Sequence, residues 1–281
     1  MQEIRIRKMA PNDFAFAIKL TDTMNWDLTR KDFEFMMNLE PRGCCVALDE
    51  TRRVGLITTM HFGRVGWIGN VIVTPSNRSK GVGALLVKHA IDYLVGESAT
   101  TIGLYAYVDT VQFYEKLGFK ANSNFIRLVG QGFKMDQYTE RIVRMAERDL
   151  EDVARFDERC MGWNREPLLK RIFRDSKDLC YVARDSNKLL GFIMADSYRQ
   201  EIGPCVSSPR KPEVAINLLR AVLGTFSGLE IRVGVSESRL GIVEALREMK
   251  FQEEFKVVRM YWGQVLKDKG CLLAMESLER G

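Results

Sequence analysis

Ile4 and Ile6 alternate with Arg5 and Arg7, a period of two that predicts a strand over residues 3–7 and does not resemble the apolar run of a signal peptide. The period then lengthens. Helices are expected from Pro11 to Thr23 and, after Thr29, from Asp32 to Leu39, where Pro41 and Gly43 end the pattern. Apolar runs at Cys44–Leu48 and Val54–Met60 flank the polar Asp49-Glu50-Thr51-Arg52 and read as a hairpin. A strand follows over Trp67–Val73, then a helix over Val82–Val95 and a strand over Thr101–Tyr107. A helix over Thr110–Leu117 is closed by Gly118, and a last strand spans Phe125–Val129, with a short one allowed at Phe119–Ala121. Strands and helices in this order predict an α/β fold, one mixed sheet with helices on its faces.

The second half repeats the first. Asn25-Trp26-Asp27 is echoed by Gly162-Trp163-Asn164. Cys45-Val46-Ala47 with Val54-Gly55-Leu56-Ile57 is echoed by Tyr181-Val182-Ala183 with Leu190-Gly191-Phe192-Ile193. Ile68-Gly69-Asn70 is echoed by Ile202-Gly203-Pro204, and Leu117-Gly118-Phe119 by Met249-Lys250-Phe251. The matches keep their order at nearly constant spacing, as a duplication requires. The junction is expected near Gly132 to Tyr138, giving domains 1–134 and 135–281. Residues 264–281 are expected to form a short amphipathic helix packed through Leu266, Leu272, Leu273 and Leu278.

Composition narrows the class. A chain of 281 residues with 46% apolar and 28% charged residues can bury a real core. No apolar run approaches the roughly 18 residues of a membrane-spanning helix, and a net charge of +5 spread along the chain does not argue for nucleic acid. The six cysteines form no C-x-x-C pair, and with only two histidines no metal site is expected. Reduced cysteines suggest a cytoplasmic protein.

The candidate chemistry starts at Arg78-Ser79-Lys80-Gly81-Val82-Gly83. This stretch follows the apolar Val71-Ile72-Val73 and opens an amphipathic helix. Free N–H groups at a helix start bind phosphate, glycines let the anion approach, and Arg78 and Lys80 add charge. With Pro75, Arg78-x-x-Gly81-x-Gly83 and Tyr114-Glu115-Lys116-Leu117-Gly118-Phe119 at this spacing, residues 1–132 resemble the GNAT superfamily of acyl-CoA-dependent N-acyltransferases. The second half resembles the same fold with its motifs eroded, so the whole chain resembles tandem-domain members.

The resemblance implies an acetyl-CoA-dependent N-acetyltransferase acting on a primary amine by direct attack on the thioester. Pantetheine would lie along Val71, Ile72 and Val73 where that strand splays from Thr101–Tyr107. The pyrophosphate would rest on the N–H groups of residues 79–84 (Ser79, Lys80, Gly81, Val82, Gly83 and Ala84), beside Arg78. Tyr114 would be the general acid for the departing thiolate. Many members carry an Asn where this chain has Tyr107, and Asp109 or Thr110 is a replacement for that contact. His61, Asp109, Glu115, Asp22 and Asp27 remain open as general base, beside water alone. Asn25 and Trp26 line an amine pocket in one reading; in the other, Trp26 and Trp163 are core anchors of a duplicated ancestor. The expected acceptor is a small-molecule or peptide amine, and the chain a monomer or weak dimer.

In the second half, Pro209-Arg210-Lys211-Pro212-Glu213-Val214 stands where the phosphate loop belongs and has no glycine, and Leu246 stands where Tyr114 does. That half is expected not to catalyse. It would cover the acceptor groove, mimic a dimer interface or bind a regulator. A non-catalytic acyl-CoA-binding sensor is the alternative function. A generic mononucleotide binder lacks its G-x-x-x-x-G-K-[ST] signature.

Overall fold

A computed structural model describes residues 4–133, 141–186, 188–267 and 269–281. The expected junction between residues 134 and 135 lies outside them. The first half runs β1 (Ile4–Lys8), α1 (Phe14–Asp22), α2 (Arg30–Leu39), β2 (Cys45–Asp49), β3 (Arg52–Phe62), β4 (Val65–Val73), α3 (Val82–Gly96), β5 (Thr101–Tyr107), α4 (Val111–Glu115) and β6 (Lys120–Gln131). The second runs β7 (Ile142–Arg144), α5 (Leu150–Met161), α6 (Glu166–Ser176), β8 (Tyr181–Asp185), β9 (Lys188–Asp196), β10 (Glu201–Ser207), α7 (Pro212–Thr225), β11 (Glu230–Ser236), α8 (Leu240–Glu248), β12 (Gln252–Gly263) and β13 (Leu272–Ala274).

The duplication is visible bond for bond. In β3–β4 the register slips so that Leu56 faces Ile72 but Thr58 faces Gly69, leaving one extra residue on β4. The same slip recurs in β9–β10, where Ile202 faces Ala195 but Cys205 faces Ile193. Such bulges bend a strand away from its neighbour. Matching carboxylates also turn the chain into α1 and α5. Asp13 accepts from the Ala10 N–H at 2.8 Å, and Asp149 from the Ala146 N–H at 2.8 Å. These paired aspartates escaped the sequence comparison because isolated acidic residues carry no periodic signal.

The halves do not each close their own sheet. The strand order is β1-β2-β3-β4-β5-β12-β6-β11-β13-β10-β9-β8-β7. β12 of the second half pairs with β5 of the first, from Val257 opposite Tyr107 to Gly263 opposite Thr101. The last strand of the first half pairs with β11 of the second, from Phe125 opposite Ser236 to Gln131 opposite Glu230. Between them β6 and β12 run antiparallel along most of their length. A single mixed sheet results. One face carries a core shared by α1, α2, α5 and α6, and the other carries a separate core in each half. Aromatic side chains lock the exchange from within the shared core. Trp67 lies 5.1 Å from Tyr105, Tyr105 5.0 Å from Phe125, and Trp67 6.4 Å from Tyr261, between ring centres. Pairs of this kind contribute about 0.5–1.5 kcal/mol each beyond their buried area.

Two expectations need correction. The short strand at Phe119–Ala121 does not stand apart, because Lys120–Gln131 is one continuous strand. The C-terminal segment is not a helix. Leu272–Ala274 forms β13, which pairs with both β10 and β11. Leu272 enters the shared core and Leu273 the core of the second half. Successive side chains on opposite faces require a strand, and the free edges of β10 and β11 supply its partners.

Asp13 is fully buried and bonded by Arg7 at 2.7 Å and Arg53 at 2.5 Å. Burial alone would raise its pKa, but the Arg7, Arg53 and Ala10 bonds outweigh that and bring it down to about 2. A lowered carboxylate pKa stabilises the fold above the unfolded value near 4, and that stability is lost as pH falls toward 2. We therefore expect Asp13→Asn to cost on the order of 1–2 kcal/mol at pH 7. Urea titrations of both proteins should show the difference shrinking between about pH 4 and pH 2.

Candidate active site

The site forms where β4 and β5 part. They pair in parallel only from Val65 opposite Thr101 to Trp67 opposite Gly103. Beyond that, the bulge at Asn70, whose φ of 50° lies in the left-handed region, carries β4 away from β5. Asn70 is pinned there by its amide, which donates to Thr58 Oγ1 at 3.0 Å. Leu104 to Tyr107 on β5 and Ile68 to Val73 on β4 become the walls of a cavity of about 710 Å³. Val71, Ile72 and Val73 all line it. Ile72 and Val73 pair with β3 on their other edge, so one side of the strand faces the opening.

Next to the cavity, which Arg78 lines and residues 79–84 do not, the turn into α3 leaves backbone N–H groups free. Gly81 has φ 85° and caps the helix, and Ser79 has φ 61°. A side chain at Gly81 would meet no atom within 4 Å, so the space above it is open. Leu85 is the first residue of α3 whose N–H finds a helical acceptor, the Gly81 carbonyl at 3.0 Å. The N–H groups of Val82, Gly83 and Ala84 are thus the free first turn. Ser79, Lys80 and Gly81 are exposed beside them. The exposed Arg78 folds back, donating from Nε to the Val73 carbonyl at 3.1 Å, and lines the cavity.

Tyr114, from α4, also lines the cavity. It is 9% exposed, with its ring 4.9 Å from Phe113 and 5.9 Å from Phe119. Among the described residues its hydroxyl has no hydrogen-bond partner. Burial raises its pKa, so the phenol is protonated at neutral pH. Thr110 anchors the start of α4 by donating to the Tyr107 carbonyl at 2.8 Å. Tyr107, Asp109 and Thr110 all reach the cavity wall.

The α1–α2 loop supplies Asn25, Trp26 and Asp27 to the same cavity. Asn25 and Asp27 have φ of 55° and 52°, which folds the loop tightly beneath Trp26. Trp26 packs on the shared core with one face, whereas its counterpart Trp163 is buried. His61 lies elsewhere: it pairs with Gly66 at the far end of the β3–β4 hairpin and does not line the cavity. Asp22 and Glu115 are exposed and likewise outside it.

The sequence reading missed the opposite wall. Arg127 of β6, Tyr198, Arg199 and Glu201 from the β9–β10 turn, and Glu254 and Phe255 of β12 close the cavity. Glu279 from the C-terminal segment completes this wall. Its charges are paired across the halves. Arg127 binds Glu201 and lies 3.7 Å from Glu254, while Arg199 binds Asp32 of α2 at 3.1 Å. Only their meeting around one cavity could have marked these residues, and that is a tertiary property.

The matching wedge in the second half is filled. β10 and β11 pair at Glu201–Arg232 and Ile202–Val233, then part, and β13 enters between them. Met275 continues the line, its N–H bonded to the Gly234 carbonyl at 2.9 Å. A side chain at Gly203 would meet the Met275 carbonyl at 1.8 Å. The helix that should carry the phosphate loop, α7, starts at Pro212, and Leu246 is fully buried.

Comparisons with known proteins agree with this geometry. The acetyltransferase (GNAT) family matches residues 12–119, and an acetyltransferase (GNAT) domain matches residues 153–273. The chain is 26% identical over 277 residues to the holothin acyltransferase of Pseudoalteromonas sp. (strain SANK 73390), covering 96% of this chain and 90% of that one. A putative acetyltransferase from Pyrococcus horikoshii superposes with a TM-score of 0.82 at 20% identity, over 100% of this chain and 97% of that chain. A GCN5-related N-acetyltransferase from Sphaerobacter thermophilus superposes with a TM-score of 0.66 at 16% identity, over 92% and 95%. Two GNAT matches, one in each half of a duplicated α/β fold, place this chain in the GNAT acyltransferase family as a tandem-domain member.

Proposed function

We propose that the chain is an acetyl-CoA-dependent N-acetyltransferase with one working site, in the wedge of the first half. The observation that carries this reading is a cavity lined by Arg78, by Val71–Val73 on the free side of β4, and by Tyr114, whose hydroxyl has no partner among the described residues. The open first turn of α3 follows Arg78 directly in the chain, although residues 79–84 do not themselves line the cavity. The pieces fit an acyl-coenzyme A. Backbone N–H groups at residues 79–84 suit a pyrophosphate, with Lys80 and Arg78 adding positive charge. The edge of Val71–Val73 suits an extended amide chain, which can pair with it as another strand would.

The bound thioester supplies an electrophilic carbonyl and a thiolate leaving group. The residues of the chain do the remaining work. Strand N–H groups at 71–73 face the position where the oxyanion develops. Tyr114, kept protonated by burial, offers its hydroxyl to the departing sulfur. Asn25, Trp26, Asp109 and the second-half wall enclose the acceptor and shut out water. The name of the holothin acyltransferase speaks of acyl transfer in general, and a primary amine with an acetyl donor is our choice within that class. The internal strand exchange supports a single chain as the working unit, and reduced cysteines suit the cytoplasm; the acceptor we infer is a small-molecule or peptide amine.

Thiol release from acetyl-CoA tests this over a panel of tyramine, glycinamide, spermidine and glucosamine, with acetylated product read by mass spectrometry. Tight coenzyme binding by calorimetry without turnover on any amine would assign the sensor function instead. Tyr114→Phe should lower kcat at least tenfold with coenzyme affinity unchanged; an unaltered kcat removes Tyr114 from the mechanism. Gly81→Val should weaken coenzyme binding at least tenfold, because a β-branched residue resists φ near 85°. A wild-type dissociation constant for that variant would put the phosphate elsewhere.

A further inference from the structure

Residues 275–281 cross from the wedge of the second half to that of the first. Beyond Met275 the chain is tied down by charge. Arg280 binds Glu276 at 2.9 Å, and its guanidinium lies 4.4 Å from the centre of the Phe35 ring. A Gly281 oxygen accepts from Arg165 at 2.5 Å, and Arg165 is itself fully buried against Asp157. The Leu278 carbonyl accepts from the Trp67 indole at 3.4 Å.

Glu279 therefore comes to rest on Gly69, one residue before the bulge that opens the wedge. A side chain at Gly69 would meet the Glu279 Cα and carbonyl oxygen at 2.6 Å. The absent Cβ of Gly69 is what admits the segment. Glu279 lines the cavity, and its side chain is 13% exposed.

The other carboxylates of the cavity are placed differently. Glu201 and Glu254 are engaged by Arg127, and Glu254 also lies 3.3 Å from Arg232. Asp27 and Asp109 are exposed. The ion pair of Glu279 with Arg199 is 3.8 Å long, beyond hydrogen-bond distance.

We propose that Glu279 is the carboxylate that receives the acceptor amine, holding it beside β4 and accepting its proton as the amide forms. This rests on the reading of the wedge as an acyl-transfer site. The acceptor class it selects is an amine that arrives with N–H groups free to donate. The nitrogen lone pair bonds to the thioester carbonyl carbon, and the C–S bond breaks with its electron pair left on sulfur. The nitrogen proton passes to Glu279 and then to solvent. The Tyr114 proton goes to sulfur, and the phenol is reprotonated from solvent.

Charge around Glu279 keeps it ionised. Burial would raise its pKa, but Arg199 and Arg280, together with hydrogen bonds from its own backbone N–H and the Ser277 hydroxyl, outweigh that and hold it below the usual carboxylate range. Glu201, Glu276 and the Tyr107 hydroxyl face the same group, as does Asp32 through Arg199. The positive charge that develops on nitrogen thus meets a carboxylate that is already ionised.

The test is steady-state kinetics with acetyl-CoA and the best amine of the panel, beside calorimetry with coenzyme A. Glu279→Gln should lower kcat/KM for the amine at least twentyfold while coenzyme affinity stays within twofold of wild type. Glu279→Asp, which keeps the charge one methylene further back, should recover part of the loss. Wild-type kcat/KM in a Glu279→Gln protein that binds coenzyme normally overturns the proposal. If Glu279→Gln fails to bind coenzyme, wild-type KM and kcat for the amine in Glu279→Asp overturn it equally. A wild-type protein that binds coenzyme yet releases no thiol with any amine would instead sink the transfer reading itself.

Discussion

The antiparallel pairing of β12 between β5 and β6 is the constraint on which the molecule depends. Each half lends one strand, β6 or β12, to the exchange, and its own strands join into one sheet only through the other half. Separating the halves would expose long strand edges and open the core that holds Trp67, Phe125, Val257 and Tyr261. The exchange also builds the cavity. Arg127 of β6 and Glu254, Phe255 and Val257 of β12 meet at its wall because those two strands lie side by side at the centre of the sheet. The tandem arrangement and this wall of the cavity are therefore one structural fact.

The C-terminal segment answers a problem that the duplication creates. Each copy of the fold splays two parallel strands and leaves unpaired backbone groups between them, which must find partners or stay wet. In the first half that edge faces an open cavity. In the second, β13 pairs with both strands, and Met275 passes so close to Gly203 that no Cβ fits there. Loss of the phosphate-loop glycines, replacement of the tyrosine by the buried Leu246, and occupation of the wedge by the chain itself all set the two halves apart. Through Tyr198, Arg199, Glu201, Glu254 and Glu279 the second half walls the cavity of the first.

Charges buried at the contact between the halves hold this arrangement in register. Arg127 with Glu201 and Arg199 with Asp32 pair across the halves, while Arg165 with Asp157 and Arg280 with Glu276 brace the second half and its C-terminal segment. Buried pairs of this kind add little net stability over well-packed apolar residues, but removing one partner strands a charge and is costly. They disfavour any docking of the C-terminal segment that leaves a guanidinium unpaired. Arg199 joins α2, the β9–β10 turn and the segment carrying Glu279 at one point beside the cavity.

What the sequence determined alone was local. Hydrophobic period two marked Thr101–Tyr107 at the bounds the structure shows, period 3.6 marked α3, and Gly118 marked the end of the helix carrying Tyr114, with φ 91°. The glycine turn into α3 and the turn after Tyr114 were legible because backbone conformation is written into a few adjacent residues. Tertiary structure decided the rest. Period two does not name a strand's partner, so the exchange of β6 and β12 was invisible. Leucines at 266, 272, 273 and 278 fit a helix until the open edges of β10 and β11 made residues 272–274 a strand. Glu279, Arg127, Arg199 and Glu254 look like ordinary surface charges in the sequence. They became one wall of a cavity only when segments more than a hundred residues apart were brought together, which no local pattern can encode.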